Sequence, residues 1–194
     1  MVDKAVTVER VREMFGDLPV PYPFVQYEMH PAFHADFFMN FKRFVWMDGY
    51  ITPKVKAAIA LAISFVTGCR PWQDVLKRDI TRLGFPEGAA EDIRALVAVN
   101  AMYNQFYKLP DMVGRGLSGS GAVGLRGHTI ASTCLDGDVI ELIGVVIGTL
   151  NGCRTCTTGH ARAAINSYVT DEAITEAIQC AATMLAGCVF LNSL

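Results

Sequence analysis

Three observations predict an all-α fold. Apolar residues recur at helical spacing through most of the chain, helix-start and helix-stop residues bracket those runs, and one three-helix pattern occurs twice. Taken in order, Thr7 is the expected cap of a short first helix that ends at Gly16. A loop containing Pro19, Pro21 and Pro23 follows, and then an aromatic helix from about Ala32 to Trp46, where Phe33, Phe37, Phe38, Phe41, Phe44 and Val45 share helical spacing. Asp48-Gly49 makes a turn. Thr52-Pro53 joins an N-cap to a proline at the first helical position, and that helix runs to Gly68. Helices are expected at about 71–83 and 87–108. Glycines at 114, 116, 119, 121, 124 and 127 make 114–127 a connection. No strand precedes it and no GK[ST] follows, which argues against a phosphate cradle. A short helix near 125–133, one from Asp136 or Asp138 to Leu150, and two more at about 153–167 and 171–191 complete the chain.

The repeat organises these elements. Residues 56–70, from Lys56 to Cys69-Arg70, align with residues 140–154, from Ile140 to Cys153-Arg154. Each copy is an apolar helix, a glycine, and a Cys-Arg pair opening a second helix. Residues 93–106 parallel 174–187 as the third helix of each copy. The expected architecture is a bundle built from two repeats of a three-helix unit, over residues 51–194, with the second repeat at about 138–191 and residues 1–50 as an N-terminal helical extension.

Composition sets limits. The chain has 194 residues, enough for one core and one domain. Hydrophobic residues make up 52% and charged residues 19%, which suggests apolar surface covered by copies of the same chain. The longest uncharged apolar stretch is placed at 57–69, shorter than the roughly 20 residues of a spanning helix, so no membrane is expected. A net charge of −2 and a pI near 6.1 leave no basic footprint for nucleic acid. The opening MVDKAVTVERVREMF has alternating charges and no signal-peptide core, so a cytoplasmic location is expected. In that reducing setting, six scattered cysteines read mainly as small buried hydrophobes.

One pair escapes that reading. Cys153, Cys156 and His160 stand in the pattern E-x11-C-x2-C-x3-H, led by Glu141. Offsets of three and seven residues put the two thiols and the imidazole on one helix face. The first turn of that helix aims N–H groups at the thiols and favours thiolate; His160 takes the proton or stabilises the charge, and Arg154 adds positive potential. Glu141 is the only charged residue between Asp138 and Arg154. It is either an exposed early-helix carboxylate or a buried one with a partner, holding a proton near neutrality. In the first repeat, the positions of Glu141, Cys156 and His160 hold Ala57, Trp72 and Leu76; only Cys69 matches its counterpart. The first copy thus keeps the scaffold without the site, and Cys69 reads as structural. Two rival readings use the same residues. Zinc could be held by the pair, the histidine, and Glu141 or Cys134, although no second ligand pair is visible. A thioredoxin-like fold is disfavoured because no βαβ pattern surrounds the motif. His30 and His34 read as surface or packing residues.

At these residues the sequence resembles the alkylhydroperoxidase D group of the carboxymuconolactone decarboxylase superfamily. The Glu141/Cys153/Cys156/His160 spacing matches that group's signature. The duplicated helical unit, the Asn-Gly-Cys lead into the site helix and the run at 101–107 are also similar. The likeness covers roughly residues 51–194. It implies an AhpD-like fold and a cofactor-free thiol peroxidase acting on organic hydroperoxides. By the resemblance, Cys156 is the peroxidatic thiol, Cys153 resolves its sulfenic acid to a disulfide, and Glu141 and His160 relay protons. It also implies a dithiol reductant such as a lipoyl-domain protein, and a homotrimer or homohexamer. One departure stands out: the best-known members carry a second histidine where this chain has Thr155. The decarboxylase branch lacks the Cys-x-x-Cys pair. The alternatives are a metal-binding or redox-sensing protein without turnover, and a general thiol–disulfide oxidoreductase.

Overall fold

A computed structural model describes residues 3–113 and 124–194, and its regular elements are helices. Residues 114–123 of the expected glycine-rich connection lie outside the described residues. Helix α1 spans Lys4–Phe15. Its cap is Asp3, whose carboxylate accepts from Ala5 N–H at 2.9 Å. The expected cap, Thr7, is instead a buried residue within the helix, which starts one turn earlier at the cap that Asp3 supplies. Helix α2 (Tyr22–Tyr27) forms inside the expected proline loop, because Pro23 sits where a missing N–H costs nothing. The aromatic helix divides into α3 (Pro31–Phe41) and a π-helical turn, Lys42–Trp46. His30 caps α3, its Nδ1 accepting from Phe33 N–H at 3.2 Å.

The remaining helices follow the expected order: α4 (Pro53–Thr67), α5 (Arg70–Arg82), α6 (Ala89–Val113), α7 (His128–Ala131), α8 (Gly137–Leu150), α9 (Arg154–Asn166) and α10 (Asp171–Asn192). Helix α4 begins as predicted, with Thr52 Oγ1 accepting from Val55 N–H at 3.4 Å. Every side chain from Ala57 to Ile63 is buried. A helix apolar all round belongs at a core, and α4 packs against α5, α6, α8 and α10. Four alanines among those seven residues let the neighbouring helices approach closely.

Helix α10 corrects the reading of the apolar stretches. Residues 177–194 carry no Asp, Glu, Lys or Arg, a longer uncharged run than 57–69. Among the described residues α10 is the one helix long and apolar enough to cross a bilayer. Here its Cys180, Met184 and Cys188 are buried, and it packs on α4.

The extension packs on the first repeat. Phe24 meets Phe15, Phe37, Phe41 and Trp72 at ring distances of 5.5, 5.5, 5.1 and 6.0 Å. Trp72 is fully buried and its Nε1–H donates to the Tyr27 hydroxyl at 2.8 Å. Phe33 stacks on Phe190 of α10 at 4.5 Å. Beside this cluster a buried ion pair fastens the chain ahead of α4. Lys56 Nζ donates to Glu176 Oε1 at 3.0 Å and to the Met47 carbonyl at 2.7 Å. Glu176 Oε2 accepts from Ile51 N–H at 2.9 Å. Gly49 is required there, since a Cβ would collide with the Glu176 carboxylate.

Candidate active site

The site begins at the junction of α8 and α9. Gly152 adopts φ 67°, in the left-handed region that side chains disfavour, and reverses the chain sharply. Cys153 N–H then donates to the Gly148 carbonyl at 2.9 Å, closing α8. Cys153 becomes the N-cap of α9, with Sγ accepting from Cys156 N–H at 3.3 Å. This places the first thiol outside the helix, fully buried, and the second in its opening turn. The two sulfurs are in disulfide contact, with Cα atoms 5.4 Å apart, a separation at which a bridge forms without moving backbone. Thr157 Oγ1 donates to the Cys153 carbonyl at 3.0 Å. Gly148 makes room for it: a Cβ at 148 would lie 2.9 Å from Thr157 Oγ1 and 3.1 Å from its backbone nitrogen.

Two turns along α9, His160 Nδ1 stands 2.7 Å from Glu141 Oε2 of α8. Both side chains are half-buried. Glu141 is therefore neither of the two extremes open from sequence; it is a partnered carboxylate at a cleft edge. A carboxylate accepts only, so Nδ1 carries the hydrogen and Nε2 is left as the basic nitrogen. Gly144 permits the pairing, because a Cβ there would fall 2.5 Å from the imidazole Cγ and Nδ1.

A cleft of about 590 Å³ opens over these groups. Glu141, Cys156 and His160 form one wall, and Asn100, Tyr103, Asn104 and Tyr107 of α6 face them. Thr155, the position that departs from the expected histidine, also lines the cleft. Cys153 does not: it lies behind Cys156.

The second half of the chain, residues 120–194, matches the model of the carboxymuconolactone decarboxylase family. Among curated relatives, an alkyl hydroperoxide reductase AhpD from Anaeromyxobacter sp. strain K is 25% identical over 148 residues, covering 76% of this chain and 79% of its own. One from Anaeromyxobacter dehalogenans strain 2CP-1 is 29% identical over the same coverage. One from Rhizorhabdus wittichii is 28% identical over 115 residues, 59% of this chain and 66% of its own. The chain is thus similar to AhpD-named proteins over most of its length and to the carboxymuconolactone decarboxylase family over residues 120–194.

The first repeat repeats the backbone of the site closely. Gly68 has φ 71°, Cys69 N–H donates to the Ser64 carbonyl at 3.0 Å, and Cys69 is the N-cap of α5. Ala57, Leu76 and Asp79 line a smaller pocket of about 250 Å³, together with Phe41, Val45 and Trp46 of the extension. The four cysteines outside the pair have other surroundings. Cys188 is held protonated by its hydrogen bond to Cys69 and by burial. Burial pushes the Cys180 thiol up to about 12. Cys134, considered as a fourth zinc ligand, is exposed, and its N–H donates to Asp92 at 2.7 Å. Among the described residues, no three His, Cys, Asp or Glu side chains converge as a metal-binding group.

Sequence reading missed the α6 wall and the two α8 glycines. The signal for the wall is present: Asn100, Tyr103, Asn104 and Tyr107 lie at i, i+3, i+4 and i+7, one helix face. Gly144 and Gly148, spaced four apart on α8, mark a side where another element comes close.

Proposed function

We propose that the cleft reduces organic hydroperoxides with the Cys153–Cys156 pair, a peroxide-related oxidoreductase activity of the kind named for the AhpD relatives. The observation that carries the reading is the placement of Cys156 at an open cleft, with Cys153 in disulfide contact behind it and the His160–Glu141 pair on the same wall. His160 Nε2 takes the Cys156 proton, and Glu141 steadies the imidazolium. The Cys156 thiolate attacks the terminal peroxide oxygen. An S–O bond forms, the O–O bond breaks, and the departing alkoxide takes a proton from His160 to leave as the alcohol. The Cys153 sulfur then attacks the sulfenic sulfur, forming the S–S bond and breaking S–O, and the Cys153 thiol proton joins the departing hydroxide as water. Two thiols are oxidised and one peroxide is reduced. An external dithiol, such as a lipoyl-domain protein, returns the pair by exchange, and a reducing cytoplasm suits that cycle.

Cys156 is assigned as the nucleophile because it reaches the cleft and Cys153 does not. No cofactor or metal takes part in this scheme. Reduced protein mixed with cumene hydroperoxide should lose two thiols per chain. Cys156→Ser should lose none at a comparable rate; a variant as fast as wild type would overturn the assignment. The same buried pair supports general thiol–disulfide exchange as a second reading. Insulin reduction with dithiothreitol, faster than peroxide consumption, would favour it.

We also infer self-association as a trimer or hexamer, with residues 1–50 as an extension on a 51–194 domain. The support is the 52% apolar content together with exposed Tyr50, Met112 and Tyr168. A monomeric mass by light scattering at micromolar concentration would contradict it.

A further inference from the structure

Asn104 has a feature that the scheme above leaves unused. Its side chain is 1% exposed, yet among the described residues neither Oδ1 nor Nδ2 has a hydrogen-bond partner. It lines the cleft that holds Cys156 and His160. A carboxamide buried and unpaired is destabilising unless something in the cleft pairs with it. Its neighbour on the helix, Asn100, differs: Asn100 Nδ2 donates to the Leu96 carbonyl at 3.0 Å and is spoken for. Among the described residues the other buried side chains without partners, His34 and Thr133, do not line this cleft.

The two halves of the molecule supply an independent argument. The third helices align with residue 93 on residue 174, so Asn100, Tyr103, Asn104 and Tyr107 correspond to Ala181, Met184, Leu185 and Cys188. The polar and aromatic face exists only where the reactive thiols exist. Opposite Trp72 the same helix face is apolar. A carboxamide kept for packing alone has no reason to follow the thiols in this way.

We propose that Asn104 is the oxygen-binding group of the cleft, recognising the hydroperoxide –OOH end of the substrate. A hydroperoxide both donates and accepts hydrogen bonds at adjacent atoms. Its O–H donates to Asn104 Oδ1, and a peroxide oxygen accepts from Asn104 Nδ2–H. Held that way, the terminal oxygen faces the wall carrying Cys156, while the Tyr103 and Tyr107 rings flank the organic group. The inference rests on the peroxidase reading and names its recognition step; bond-making and proton transfer stay with Cys156 and His160.

The test compares wild type with Asn104→Leu, a replacement of similar size, for two reactions of the reduced protein. One is oxidation by cumene hydroperoxide; the other is alkylation by iodoacetamide, which reports Cys156 reactivity and has no –OOH group. The peroxide rate constant should fall by about tenfold or more, while the alkylation rate stays within about twofold. Asn104→Ser, measured the same way, covers failure of the leucine variant to fold. An unchanged peroxide rate overturns the inference, with wild-type turnover still upholding the peroxidase reading. A parallel fall in both rates makes Asn104 a structural residue and also overturns it. Wild type that consumes no peroxide removes the peroxidase reading itself, and this inference with it.

Discussion

The two repeats share a backbone and differ in what stands over it. In each, a left-handed glycine ends an apolar helix and the following cysteine caps the next helix. Over Cys69 lie Trp72 and Tyr27, and rings of the N-terminal extension fill the space. Over Cys153 lie Cys156 and a cleft more than twice the volume of the first half's pocket. Charge follows the same division. The first half holds Lys56 as a buried tether to Glu176, where the second has the apolar Ile140. The second half spends its carboxylate on a histidine at the cleft instead. The same frame occurs twice: one copy is packed largely shut, and the other opens on the cleft to which the chemistry is assigned by proposal.

The largest expected effect separates His160 from its counterpart. His160→Ala should slow peroxide consumption by about 10²–10⁴-fold, the range for a lost general acid–base, with the fold retained. Leu76→Ala should leave the rate alone and cost about 2–5 kcal/mol of stability instead, as for a buried leucine. Stopped-flow thiol oxidation and urea unfolding read the two quantities. A rate loss in Leu76→Ala would blur the division.

The tether gives the next effect. Lys56→Met leaves the Glu176 carboxylate buried without its ion partner and should destabilise the chain by about 3–5 kcal/mol. A denaturant midpoint within error of wild type would contradict this. Neither Lys56 nor Glu176 was legible as a pair, because they lie 120 residues apart and sequence shows only a lysine in an apolar run.

That contrast marks what sequence can carry. The Thr52-Pro53 start, the Gly68 and Gly152 stops, and the thiol–imidazole spacing all act within a few residues, and the structure places them where local physics puts them. Glu141 and His160 were legible as site residues from the signature and the repeat mismatch, but not their direct contact, since α8 must fold back on α9 to make it. The π-helical turn at Lys42–Trp46 had no local signal. It accompanies Trp46 packing on Phe15 at 4.8 Å, a tertiary contact. The cleft wall on α6 belongs to the first repeat and serves the second, so a search within one repeat could not join them.

Gly144→Ala sharpens the comparison at smaller cost. The new Cβ lies against the His160 ring and should push it from Glu141, costing about 1–3 kcal/mol of stability, with slowed peroxide consumption. The equivalent residue in the first repeat is already alanine, Ala60, facing no histidine. A variant with wild-type rate would mean that the His160–Glu141 contact is dispensable.

The smallest effect lies in the extension. His34 is buried, with neither ring nitrogen paired among the described residues, and burial lowers its pKa below the ordinary 6.5. The unfolded chain therefore binds a proton first as pH falls. Stability should be full above pH 6.5 and decline below it, until the folded-state pKa is passed. His34→Phe should flatten that part of the pH–stability curve without altering peroxide chemistry. An unchanged slope would remove His34 as its source.

The claim that the chemistry belongs to one half alone is tested by mapping the cysteines after a single turnover. Fully reduced protein is treated with one equivalent of cumene hydroperoxide, denatured, alkylated and digested for mass spectrometry. The account predicts a disulfide between Cys153 and Cys156, with Cys69, Cys134, Cys180 and Cys188 alkylated in full. Oxidation at Cys69 or Cys188 ahead of the Cys153–Cys156 pair would contradict it.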